Sequence, residues 1–299
     1  MAANGGITVA KLVAAFYSGS TTMLAEGVHS FADTANQALL LLGIVLAARK
    51  ADARHPFGRA AESYFWSFIV SLLLFFMGGV FAIYEGVHKL AHPEAPGSPW
   101  LAIGVLVVSL GLEGSSFAVA WKEFNKGRGD ASFRAALFDG KDPIIPLVLL
   151  EDAAAVAGLA IALAAVVAAH LTADSRADAI GSIVIGVLLC CVGLLLARDT
   201  RSLLIGEGIT ASMRKDVIAI AEGTEGVESV RQLLSLHIGP QSVLIALKVR
   251  FSPSLDLPAV ERVTDELEGR VRDRIPAMSR IFVEPDSDYD ERLDPGMGP

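Results

Sequence analysis

Cysteine is scarce: the 299 residues hold two, Cys190 and Cys191, side by side. Neighbouring cysteines do not readily close a disulfide on each other, and no zinc-finger spacing is present. A disulfide-stapled module and a zinc finger are therefore excluded, and the pair reads as two small core residues. Charge is also short, at 19% of residues against about 25% in ordinary soluble domains. Basic residues are the scarcer sign: 25 Lys and Arg against 33 Asp and Glu give a net charge of −8, which sets nucleic acid aside as a partner. No cleavable signal-peptide pattern is read near the start.

The scarcity of charge is uneven. From Glu207 onward acids and bases recur at ordinary density, whereas long upstream stretches have almost none. With 53% hydrophobic residues and a mean hydropathy of +0.50, the chain divides into a membrane portion and a water-facing tail. A bilayer-crossing helix needs about 20 mostly apolar residues. Six segments are candidates: 5–18 (short), 21–48, 62–90, 100–122, 143–171 and 178–205.

The connectors orient them. The 49–61 link, "RKADARHPFGRAA", carries Arg49, Lys50, Arg54 and Arg59, and the 122–142 link carries Lys122, Lys126, Arg128, Arg134 and Lys141. Arg198 and Arg201 close the last span, while the connectors 18–20, 91–99 and 172–177 hold almost no Lys or Arg. The positive-inside bias then places both termini in the cytoplasm. The expectation is a six-helix transmembrane domain over 1–205, a cytosolic domain over 206–286 and a disordered tail over 287–299, Pro, Gly and Asp rich.

Periodicity in the tail changes from helical to alternating and back. Residues 211–223 and 258–274 read as helices, and 229–238, 243–251 and 279–284 as strands. The order α-β-β-α-β predicts a small two-layer α+β domain.

Ionisable groups at membrane depth are costly, so each is a candidate functional residue. In "GVHSFADTANQALLLLG", with Glu26 just before it, Glu26, His29, Asp33, Asn36 and Gln37 fall within an arc of roughly 100° on one helix face. His29 and Asp33 stand one turn apart, the spacing of paired metal ligands on a helix. A polar stripe that only glues helices together is the competing reading. Span five, "DPIIPLVLLEDAAAVAGLAIALAAVVAAH", carries Glu151 and Asp152. Span four adds Ser109, Glu113 and Ser116 on one face. One imidazole and two carboxylates, from His29, Asp33 and Asp152, suit Zn2+ or another divalent transition ion. These groups titrate, so an arriving cation displaces protons, which is the physical basis of metal–proton exchange.

Through "SGSTTMLAEGVHSFADTANQALLLLG", "DARHPFGRAAES" and "LLEDAAAVAGLAIA", the chain resembles the cation diffusion facilitator family, in the branch that includes the mitochondrial zinc transporter. The resemblance covers nearly the whole chain. It implies an all-α six-helix transmembrane bundle with a C-terminal ferredoxin-like cytosolic domain that dimerises. It implies a divalent metal/proton antiporter, not an enzyme, with no cofactor beyond the transported ion. It assigns the first ligand pair to His29 and Asp33, and the span-five aspartate to Asp152.

Three departures from the family pattern stand out. Val148 occupies the position four before Asp152 where a second histidine is expected, leaving Glu151, Asn36, Glu113 or water for the fourth ligand position. In the 49–61 loop, Asp52 and His55 match a secondary metal site, but Arg59 replaces its third ligand. The tail has one histidine, His237, where a metal cluster needs several.

The leading expectation is an efflux transporter of Zn2+, exchanging metal for H+ as a homodimer in a bacterial inner membrane. Alternatives are an exporter of Mn2+, Fe2+ or Co2+ with the same fold, a transport-silent metal sensor, and an intramembrane hydrolytic metal centre. The last lacks any HExxH-type motif.

Overall fold

The computed structural model describes residue 9 and residues 21–92, 99–129, 132–138, 142–172, 174, 176–275 and 277–286. Of His29 and Asp33 it describes the backbone alone. Two compact units result. One comprises the described residues up to Lys50 together with those of Glu62–Arg201; the other joins Ala51–Ala61 to the described residues from Ser202 onward.

The first unit is helical. Helix α1 runs Thr21–Ala47; α2 (Glu62–Leu73), a π-helical stretch (Leu74–Val80) and α3 (Phe81–Ala91) form one continuous span. Helix α4 is Pro99–Arg128, α5 is Phe133–Phe138, α6 is Ile144–Thr172 and α7 is Arg176–Ile205. Among the described residues, Glu62–Ala91, Ile144–Thr172 and Arg176–Ile205 are long and apolar enough to cross a membrane. At 1.5 Å per residue, a 30-residue helix covers about 45 Å, more than a hydrocarbon core of about 30 Å. Five of the six expected spans thus coincide with long helices. The first, 5–18, lies outside the described residues apart from the helical Val9, so the count of six is not established.

Small residues set the closest approach. A Cβ on Gly186 of α7 would sit 2.7 Å from the Gly79 carbonyl oxygen, and one on Gly79 would sit 3.0 Å from that of Gly186. The π-helical stretch and α7 are therefore packed backbone against backbone, the contact that small residues permit in membrane helices. Gly181 instead meets Ala165 of α6. Polar groups are also buried here: Ser63, Ser67 and Ser71 recur at helical spacing on α2, each almost fully enclosed.

The second unit contains α8 (Ala211–Glu222), β1 (Val227–Gly239), β2 (Ser242–Phe251), α9 (Leu257–Arg274) and β3 (Met278–Pro285). This matches the expected element order. The strands lie in the order β1-β2-β3. β1 and β2 pair antiparallel with Leu236 opposite Leu244, and β2 and β3 pair parallel with Ile245 opposite Ile281. The parallel pair requires a crossover, supplied by α9. Thr210 caps α8 through the Met213 amide and Asp256 caps α9 through that of Ala259, as expected of short polar residues at helix starts. Alternate residues of β2 (Val243, Ile245, Leu247 and Val249) bury one face against Val217, Leu267 and Val271. The result is a three-stranded α+β layer pair. Residues 287–299, expected to be disordered, lie outside the described residues.

Candidate metal-transport site

Pro143 precedes helix α6 and Pro146 lies in its first turn, where a missing amide hydrogen costs little, and Asp142 accepts the Ile144 amide at 3.0 Å. Two turns further in stand Glu151 and Asp152. Adjacent helical residues point about 100° apart, so these two carboxylates face different neighbours. Glu151 Oε1 accepts from Asn36 Nδ2 of α1 at 3.0 Å. Asp152 Oδ2 accepts from Ser116 Oγ of α4 at 2.9 Å. The carboxylate pair thus links three helices through side chains half-buried or deeper, with Asn36 only 4% exposed and Ser116 the exposed exception.

His29, Asp33 and Asn36 lie at helical positions i, i+4 and i+7 of α1, on one stripe by backbone geometry. The His29 and Asp33 side chains fall outside the described residues. Among the described residues, no group of three or more His, Cys, Asp or Glu side chains stands close enough to hold a metal ion. Glu113 lies one turn before Ser116 on α4 and is half-buried.

Val148 packs with Leu39 and Leu150 against the apolar cluster of Leu40, Val70, Leu147 and Leu196. The position one turn before Asp152 therefore belongs to the hydrophobic core. The serine stripe of α2 escaped the sequence reading because serine spacing alone, in a hydrophobic run, does not mark burial.

In the 51–61 loop both oxygens of Asp52 are engaged. Oδ2 accepts from Arg59 Nη2 at 2.8 Å; Oδ1 accepts the Arg54 and His55 amides at 2.9 and 2.7 Å and lies 3.3 Å from His55 Nδ1. The Arg59 guanidinium and the His55 amide hold this carboxyl well below its ordinary range, at about 2. The loop carries its own cation, Arg59, on the carboxylate. Ala60 abuts Gly239 at the β1–β2 turn, where a Cβ would collide. His237 is buried on β1, and its amide donates to the Glu207 carbonyl at 2.8 Å.

A family model described as the cation efflux transmembrane domain matches residues 1–205. The chain belongs to the cation diffusion facilitator family. Members of this family are transporters rather than enzymes, which disposes of the hydrolytic-centre alternative. Metal tolerance protein C4 of Arabidopsis thaliana is 37% identical over 237 residues, covering 79% of this chain and 52% of that protein. The mitochondrial proton-coupled zinc antiporter SLC30A9 of Homo sapiens is 32% identical over 285 residues, covering 95% of this chain and 46% of that protein. The chain spans about half the length of these two relatives. The magnetosome protein MamB of Magnetospirillum gryphiswaldense is 27% identical over 295 residues, covering 93% of this chain and 89% of that protein.

Proposed function

We propose that this cation diffusion facilitator exports a divalent metal cation, Zn2+ foremost, in exchange for protons. The observation that supports it best is the pair of bonds from adjacent carboxylates, Asn36–Glu151 and Ser116–Asp152. Carboxylates within membrane helices are costly, and where they occur they mark ion pathways. The relative named as a proton-coupled zinc antiporter supports both the metal and the counter-ion.

In this reading His29, Asp33 and Asp152 ligate the ion, and Glu151, Asn36 or Glu113 supplies a fourth ligand or carries a proton. Metal ligands must be deprotonated to bind, so binding releases protons, and a proton gradient can drive the reverse exchange. An oxygen-rich ligand set also admits Mn2+, Fe2+ or Co2+. The basic connectors 49–61 and 122–142 support cytoplasmic termini, and a bacterial inner membrane and a homodimer complete the proposal.

The test is metal uptake into sealed proteoliposomes, with and without an imposed pH gradient, for Zn2+, Mn2+, Fe2+ and Co2+ side by side. Gradient-driven uptake supports the exchanger. Metal binding without uptake would point to a membrane metal sensor instead.

A further inference from the structure

Where a second histidine would complete a ligand quartet, Val148 is committed to the apolar cluster around Leu40 and Leu196. The polar group that α6 turns toward α1 is Glu151, held by Asn36 Nδ2 at 3.0 Å. The Asn36 amide presents its nitrogen to Glu151, whose carboxyl oxygen accepts. That orientation leaves Asn36 Oδ1 buried, with no hydrogen-bond partner among the described residues. Buried acceptors in native proteins are ordinarily satisfied. A cation, or water bound to it, next to the Asn36–Glu151 pair would satisfy this one.

We propose that Glu151 is the fourth ligand of the transported ion and that Asn36 is the residue that positions it. The inference rests on the exchanger reading above and deepens it. Asn36 lies one turn beyond Asp33 on α1, so its amide holds the Glu151 carboxylate beside the helix that carries His29 and Asp33. Ligating carboxylates are commonly fixed by such outer hydrogen bonds, which orient them and tune affinity. Asp152, bonded to Ser116, approaches from the α4 side. The donor set is then one imidazole nitrogen and three carboxylate oxygens. Such a set is harder than two imidazoles with two carboxylates, and it narrows the preference for Zn2+ over Mn2+, Fe2+ and Co2+.

The experiment measures Zn2+ and Mn2+ affinities of the purified full chain by calorimetry, beside proteoliposome uptake, for wild type, Glu151→Gln, Glu151→His and Asn36→Leu. Asn36→Leu is expected to lower both affinities by roughly tenfold to a hundredfold with the metal order kept, as loss of an outer hydrogen bond does. Glu151→Gln is expected to lower them further. Glu151→His is expected to raise the Zn2+ to Mn2+ affinity ratio, a change that a folding defect cannot mimic. Wild-type affinity in Glu151→Gln, or an unchanged metal ratio in Glu151→His, overturns the inference. So does a fall in folded yield across the set with affinities of the folded fraction intact. Absence of gradient-driven uptake by wild type would instead remove the exchanger reading itself.

Discussion

Glu151 and Asp152 are neighbours on one helix yet are bonded to different ones, Glu151 to Asn36 of α1 at 3.0 Å and Asp152 to Ser116 of α4 at 2.9 Å. One step along α6 thus turns one carboxylate toward the His29–Asp33 helix and the other toward the Glu113 helix. Membrane helices gain little from burying apolar surface against each other, so such polar contacts carry much of their pairing specificity.

If Asp33 and Asp152 are ligands, Asp33→Ala and Asp152→Ala should each abolish metal uptake while leaving folded protein in the membrane. Uptake in proteoliposomes, normalised to monodisperse protein, checks this. Persistent uptake by Asp152→Ala would remove α6 from the site.

Ser116→Ala deletes the hydroxyl that donates to Asp152. The aspartate stays but loses an orienting bond, so metal affinity should fall about tenfold with uptake preserved at saturating metal. The concentration dependence of initial uptake rates measures it, and an unaltered half-saturation concentration would contradict the role.

Val148→His places an imidazole in the cluster of Leu40, Val70, Leu147 and Leu196. Burying a polar ring there without a partner should destabilise the protein by about 1–3 kcal/mol, read as a lowered melting temperature in detergent. A gain in Zn2+ preference at unchanged stability would show that the side chain reaches the site.

Asp52 titrates at about 2, below its ordinary 3.8. A carboxylate depressed in the folded state stabilises it fully above the ordinary value, and that contribution is lost as pH falls through about 2. Arg59→Ala removes the largest cause of the depression. The Asp52 carboxyl carbon, followed by NMR, should then titrate closer to 3.8, and an unmoved midpoint would assign the depression to the loop amides.

Much of this arrangement was legible in the sequence, for identifiable reasons. The last span, expected at 178–205, is Arg176–Ile205, and the tail strand expected at 243–251 is Ser242–Phe251. Long apolar runs and period-two alternation are local signals that survive folding. The partners of Glu151 and Asp152 were not legible, because helical phase separates the two side chains without naming the helix each one meets. Nor was the role of Val148, whose chemistry suits both a vacated ligand position and a core. Residues 51–61 group with the tail, and Ala60 there meets Gly239, a contact between segments far apart in the chain. Loop composition alone carries no trace of it.

The most direct test of metal–proton exchange records proton movement rather than metal alone. Proteoliposomes with a trapped pH-sensitive dye, at initially equal pH on both sides, would receive Zn2+ outside. The account predicts metal entry accompanied by proton exit, an internal alkalinisation that disappears in Asp152→Ala. Zinc entering with internal pH unchanged, and with no dependence on an imposed gradient, would contradict it.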